Sequence, residues 1–271
     1  MLCMFRKRKV KSQITIFLLV GIMLVFIVIF VFSLIYSISK EKITSQQETI
    51  STTNNKAEVL RTLVEQCLED VGENALITIG YRGGRDSLGT PFLQTNTMSI
   101  NYGYYLGEGN NPSLKEMQTS LKILLENNIE SCVISSLENR GENFFFYGAL
   151  ISLETPEVDV EITEDSTIFM LHLPIKLSMG DIEKKLENFS PIEIPVRLKD
   201  MNAISTSIVK QLTINPYFID AFYLLDQTFS FDISFITPDT YIFLITDNQT
   251  KIDNEPYQFL FATKIKVPED E

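Results

Sequence analysis

The sequence predicts an α+β fold behind an N-terminal transmembrane helix, and three observations carry that expectation. Five cations, Arg6, Lys7, Arg8, Lys9 and Lys11, stand directly before an apolar run from Ile14 to Ile38 that holds 25 positions and no charge. Helical periodicity then governs Lys56–Ile79 and a second stretch from Pro112 to Cys132. From Phe144 the apolar period shortens to two, as a strand with one buried face requires. The expected architecture is one transmembrane helix, a helical neck, then a mainly antiparallel β-sheet domain with a packed helix.

The first element follows from length. A helix crossing a bilayer needs about 20 apolar residues, and 14–38 exceeds that. Short basic flanks resist translocation, so the N-terminus is expected in the cytoplasm and residues 40–271 outside. A secretory signal peptide is the competing reading, with Ser37-Ile38-Ser39 imitating a cleavage site, but its apolar core runs only about 7–15 residues. The lipid bilayer, met through residues 14–38, is the expected partner, and the cell membrane the expected location. The basic leader occupies 1–13 and a polar spacer 39–55.

Composition bears on what the remainder can do. The net charge is −12, and setting aside the +5 of the leader leaves −17 on residues 14–271. An acidic surface repels nucleic-acid phosphates, and no Lys/Arg cluster follows the leader, so no nucleic-acid partner is expected. Some 230 residues remain beyond the apolar run, enough for a real core, and their Phe and Tyr content excludes a disordered tail.

Cysteine usage fits the topology. Cys3 falls on the cytoplasmic side. Cys67 and Cys132 fall outside, where disulfides persist, and read as one bond; two buried free thiols are the alternative. Two Cys and one His do not make a zinc site.

The helical neck is expected over 56–135. Leu60, Leu63, Val64, Cys67, Leu68, Val71, Ala75 and Leu76 share one stripe, which Gly80 and Gly83-Gly84 end. Ser113 and Glu116 have capping-box spacing ahead of Leu114, Met117, Leu121, Leu124 and Leu125. The sheet domain is expected over 144–271. Val158, Val160 and Ile162, then Phe169, Leu171, Leu173, Ile175 and Leu177, predict a hairpin around a Thr163–Ser166 turn. Ile192, Ile194 and Val196 predict a short strand. Met201, Ile204, Ile208 and Leu212 predict a helix over Leu198–Leu212. Phe229–Phe235 alternates as a strand, and Tyr241–Thr246 with Tyr257–Val267 predicts a second hairpin across a polar loop.

The search for chemistry assigns no residue a catalytic, cofactor-binding or metal role. His172, the sole histidine, alternates with the apolar positions of its strand and has no nucleophile motif beside it. Arg82-Gly83-Gly84-Arg85-Asp86 reads as a helix terminator, since it lacks the Gly-Lys-Ser/Thr ending of a phosphate loop. Asp247, Asp253, Asn254 and Glu255 gather oxygen ligands without EF-hand spacing, and read as a polar hairpin loop. Asn188-Phe189-Ser190 and Asn248-Gln249-Thr250 have the form of glycosylation acceptors.

The leader supports a resemblance. Lys11-Ser12-Gln13-Ile14-Thr15-Ile16-Phe17 resembles the start of archaeal type IV prepilin-like proteins, in which a peptidase cuts just before a Gln. Carried over, cleavage falls between Ser12 and Gln13. Ser12 stands where a Gly is common in that family, and Phe17 where pilin subunits carry a Glu. A wider set of archaeal single-pass membrane proteins is similar in its Lys11–Thr15 opening, Cys67 with Gly83-Gly84, Pro112-Ser113 and Cys132. The resemblance implies a surface-exposed role and brings no activity with it. The expected function is a membrane-anchored, extracytoplasmic cell-envelope protein with a structural, adhesive or assembly role, pilin-related and not an enzyme, with self-assembly or a protein partner. The alternative is a membrane-tethered ligand- or protein-binding module using Tyr102–Leu106 or an exposed sheet edge.

Overall fold

The computed structural model describes the backbone of residues 11–139 and 148–266 and the side chains of residues 21–33, 51–138 and 148–266. The basic cluster from Arg6 to Lys9, and the side chains of Ser12 and Gln13, lie outside the described residues. The chain divides into two compact units, Met1–Asn54 and Asn55–Glu271.

Helix α1 spans Lys11–Tyr81. In the first unit its backbone covers both the apolar run and the expected 39–55 spacer. The eleven consecutive apolar residues Ile22–Phe32 are each 46–70% exposed. Among the described residues no helix is long and apolar enough to cross a membrane; the expected span 14–38 reaches past the described side chains at both ends.

The second unit is a mixed α+β body with mainly antiparallel sheets. The predicted stripe of α1 is its spine: Leu60, Leu63, Val64, Cys67, Leu68, Ala75 and Leu76 are buried and Val71 is half-buried, and Ile79 extends the buried face by a turn. Two glycines let the helix lie close to the strands. A Cβ on Gly72 would stand 3.1 Å from the Phe169 ring, and one on Gly80 only 2.3 Å from the Gln258 carbonyl oxygen. The helix stops where expected. The Gly84 N–H donates to the Ile79 carbonyl at 2.7 Å, with Gly83 and Gly84 at φ +69° and +84°, a closure that glycine adopts without a Cβ penalty.

Helix α2 (Leu114–Asn139) opens with the capping box its sequence predicts. The Ser113 N–H donates to Glu116 Oε2 at 2.8 Å and the Glu116 N–H to Ser113 Oγ at 3.3 Å. Those bonds from the Ser113 backbone and hydroxyl, with Arg85 nearby, hold the Glu116 carboxyl below its ordinary value. The helix buries Ile129 and Val133 and continues two turns beyond Cys132.

The first sheet joins strands far apart in sequence: β1 (Phe92–Gln94), β2 (Ser99–Tyr105) and β3 (Glu108–Gly109) precede α2, while the rest close the chain. The second sheet contains β4 (Leu150–Leu153), β5 (Glu157–Ile162), β6 (Thr167–Met179), β7 (Ile182–Asn188) and β8 (Ile192–Ile194). Strand β6 is its hub and pairs antiparallel with all four others. Helices α3 (Leu198–Ile214) and α4 (Ala221–Leu225) follow. Then β9 (Ser230–Thr237), β10 (Thr240–Ile252) and β11 (Glu255–Lys264) complete the first sheet in the order β1-β2-β11-β10-β9, with β3 on β2. Among the described residues, β2–β11 is the one parallel pair.

One expectation needs correcting. The residues assigned to a polar loop, Asp247 to Glu255, are mostly strand. The turn is only Asp253-Asn254, both at positive φ (51° and 67°), as a two-residue hairpin turn demands. A register shift between Asp247 and Lys251 absorbs the polar residues. Neck residues such as Leu68 and Leu121 belong to the same apolar cluster as Phe169, Met201 and Phe259. A two-helix pair cannot bury its apolar faces alone, and the sheets supply the missing cover.

Candidate functional site

Arg197 begins the most highly organised polar feature of the second unit. It is the residue before α3, and its Nε and Nη2 donate to Asp247 Oδ2 and Oδ1 at 2.9 and 2.5 Å. Its Nη1 reaches Thr228 Oγ1 at 3.2 Å, and its guanidinium lies 4.3 Å from the centroid of the Phe229 ring. Asp247 is fully buried. Its carboxylate also accepts from the Gln249 N–H and the Thr250 hydroxyl, each at 2.9 Å. Burial alone raises this carboxyl, but the bonds from Arg197, Gln249 and Thr250 outweigh it and hold the group below its ordinary value. Two donors on each oxygen fill the four lone-pair positions of a carboxylate. The group has no acceptor capacity left for a substrate or an ion. Its chemistry is architectural: one guanidinium ties the start of α3 and the end of the α4 segment to β10.

That segment, residues 214–228, carries an apolar surface that periodicity did not reveal. Ile214 is 79% exposed, Phe222 87% and Leu225 81%, with Tyr217 and Phe218 more than half exposed. The local sequence explains the placement. Asp220 caps α4 by accepting from the Tyr223 N–H at 3.0 Å, which turns Leu224 inward and Phe222 and Leu225 outward. The Tyr217 hydroxyl donates to the Lys266 carbonyl at 2.8 Å, and the Ile265 N–H to the Asp239 carbonyl at 2.8 Å. These bonds bring the segment to the end of the sheet where Phe235, 73% exposed, packs edge-on against Tyr241 at 5.1 Å. Among the described residues, β9 is the last strand of its sheet.

Cys67 and Cys132 are brought to disulfide distance, Sγ to Sγ 2.18 Å, linking α1 to α2. Beside them runs a groove of about 420 Å³ whose wall mixes Asp70, Asn74 and Asn128 with Val71 and Leu124.

The other residues singled out by sequence are dispersed. His172 is exposed on β6, its Nδ1 3.0 Å from Asn188 Oδ1. Arg82 and Arg85 bond the Asp86 and Asn110 carbonyls, and Arg85 stands 3.7 Å from Glu116. Asp247 turns away from Asp253 and Glu255 into its pair with Arg197. Among the described residues no group of three or more His, Cys, Asp or Glu is placed to hold a metal ion. Tyr102–Tyr105 lie in β2 and Leu106 in the turn after it: Tyr104 is buried, the rings of Tyr102 and Tyr105 stand 5.0 Å apart, and Leu106 is exposed. Asn188 is exposed at the end of β7, whereas Asn248 donates to Ser230 and its partner Thr250 is buried. The Arg197–Asp247 pair joins residues 50 apart, and nothing in the sequence marks it, since Asp247 stands beside the polar run Asn248-Gln249-Thr250-Lys251.

Set against known proteins, the chain matches no family model, no curated protein and no solved structure.

Proposed function

We propose that this chain is a single-pass protein of the cell envelope. Its N-terminal helix lies in lipid and its α+β unit outside, in a structural, adhesive or assembly role without catalysis. The observation that carries the reading is Ile22–Phe32, apolar on every side of a helix and exposed on every side. Uncovered apolar surface in water costs about 25 cal/mol per Å², so such a helix belongs in an apolar solvent. The apolar sequence continues on both sides to Ile14 and Ile38, a length of about 37 Å as a helix against about 30 Å of hydrocarbon. The cations from Arg6 to Lys11 favour a cytoplasmic N-terminus. A cysteine pair at disulfide distance suits an oxidising exterior. The saturated Arg197–Asp247 pair, a scaffold element rather than a reactive one, agrees with a non-catalytic role.

The test is N-terminal mass spectrometry of the chain purified from its native membrane, together with protease treatment of intact cells. A mature start at Gln13 with an externally cleavable unit supports a prepilin-type envelope subunit. A Met1 start removes the pilin relationship and leaves a plain anchor. Protection of residues 55–271 in intact cells refutes the orientation. The second reading, a tethered module that binds a protein partner, is favoured by the exposed Phe222, Leu225 and Phe235, because soluble monomers rarely expose so much apolar surface together.

A further inference from the structure

The groove beside the Cys67–Cys132 link has one wall from α1 and one from α2, and each helix orients the polar groups of its own wall. On α1, Asn74 Nδ2 donates to the Asp70 carbonyl at 2.7 Å and the Thr78 hydroxyl to the Asn74 carbonyl at 2.8 Å. On α2, Asn128 Nδ2 donates to the Leu124 carbonyl at 2.7 Å and the Ser131 hydroxyl to the Asn128 carbonyl at 2.8 Å. A hydroxyl has a single hydrogen to donate, so Thr78 and Ser131 meet any further partner as acceptors. Among the described residues, the Asp70 carboxylate and the amide oxygens of Asn74 and Asn128 accept no hydrogen bond. The groove therefore presents mostly accepting oxygen, with spare donors only on the two amides and the Ser135 hydroxyl.

Charge and shape narrow the ligand. No Lys, Arg or His lines the groove, and Asp70 is its one charged wall residue. The surroundings carry the same sign: burial, and then the Asp253, Glu69 and Asp70 carboxylates, raise the Glu73 carboxyl above its ordinary value. A carboxylate or phosphate ligand would meet repulsion there and few donors. An ammonium brings N–H donors together with the complementary charge. Between the oxygens, Val71, Ala75, Leu124 and Cys132 form an apolar floor on which methylene groups can lie. Helix α1 rises about 12 Å from residue 70 to residue 78, which sets the length of chain the groove can hold. Its volume of about 420 Å³ falls within the ~300–1,000 Å³ of small-molecule sites. The cysteine pair ties the two walls together, so little order is lost when a ligand enters.

We propose that this groove binds an aliphatic primary amine, its ammonium at the Asp70 carboxylate and its carbon chain along Val71, Ala75 and Leu124. The proposal goes beyond the envelope role and does not depend on it, because every residue involved belongs to the second unit. The same chemistry has two sources, a free diamine and the lysine side chain of a protein.

The test is calorimetric titration of the full chain in neutral detergent with 1,5-diaminopentane. Saturable binding at one site is expected, with a Kd of about 1 mM or tighter. Asp70→Asn should weaken it about fivefold, the upper end for a solvent-exposed ion pair. Asp70→Lys, which supplies an ammonium of its own, should abolish it, and Glu183→Gln, exposed on β7 of the second sheet, should leave it unchanged. Circular dichroism checks that each variant keeps its fold; Asp70 lies on the exposed side of α1. The neutral analogue 1,5-pentanediol should not bind. No saturable binding, a diol that binds as tightly as the diamine, or equal weakening by Asp70→Asn and Glu183→Gln each overturns the proposal. Nα-acetyl-lysine amide separates the sources: binding as tight as the diamine's or tighter assigns the site to a lysine side chain, and weaker binding assigns it to a free diamine.

Discussion

Asp247→Ala removes the acceptor on which four hydrogen bonds converge, and the structure allows its cost to be worked through. Asp247 is fully buried, and the Arg197 side chain is only 15% exposed, so the stranded guanidinium cannot simply turn into water. Breaking one partner of a buried ion pair costs about 3–5 kcal/mol. The Thr250 hydroxyl and the Gln249 N–H, each bonded at 2.9 Å, also lose their acceptor. For a unit of this size the loss corresponds to a fall in Tm of roughly 6–20 °C, at about 2–4 °C per kcal/mol. The assay is thermal and urea unfolding of the full chain in detergent, followed by circular dichroism. The double variant Arg197→Met/Asp247→Leu separates loss of charge pairing from loss of packing. An apolar replacement of both partners should recover about half of the deficit, because no charge is left buried without a partner. Acid titration adds a signed test. A carboxyl held below its ordinary value stabilises the fold above the unfolded-state value near ~3.9, and this is lost as pH falls through the lower folded-state value. The wild type should therefore lose stability in that acid window, and Asp247→Ala should lose less. The reasoning is refuted if Asp247→Ala costs less than about 1 kcal/mol, or if the double variant is as unstable as the two single changes combined.

Three further outcomes are expected. Cys67→Ser or Cys132→Ser opens a link between residues 65 apart, which the chain-entropy account values at about 4 kcal/mol; non-reducing peptide mapping that finds both thiols free would contradict the link. Gly80→Ala drives a methyl group toward the Gln258 backbone carbonyl and should cost about 3 kcal/mol, read as a lower urea midpoint, whereas an unchanged midpoint would mean α1 does not lie against β11. Ser113→Ala should cost about 1 kcal/mol through the lost cap. It should also weaken the acid sensitivity that Glu116 contributes, because a carboxyl held low by Ser113 loses its stabilising effect as pH falls through its lowered value. Equal acid profiles for wild type and variant would remove the cap from that account.

The elements that were legible share a physical trait: each announces itself over a short window. The α1 stripe from Leu60 to Ile79, the Ser113/Glu116 cap and the β5–β6 alternation around Thr163–Ser166 depend on neighbours within four residues or one turn. Strand β7 escaped because its sequence, Ile-Glu-Lys-Lys-Leu-Glu-Asn, buries only Leu186 and takes its partners from β6. The Asp247 region read as a loop because its polarity is local, while the guanidinium that neutralises it comes from the start of α3. The α4 face was missed for the opposite reason. Its apolar residues look like ordinary core, and only the fold reveals that Phe222 and Leu225 point away from it.

By itself, the sequence determined the α+β class, the end of α1 and the start of α2, the faces of the β5–β6 hairpin and the acidic character of the unit. Each of these depends on backbone periodicity, steric limits or summed charge, which are properties of the chain read in order. Only the tertiary structure decided that the helical and sheet segments share one core, that Arg197 meets Asp247 and that Cys67 lies at disulfide distance from Cys132. It also decided which apolar residues remain uncovered. Those outcomes depend on which distant surfaces pack together, since burial and pairing belong to contacts across the fold and not to positions along the chain.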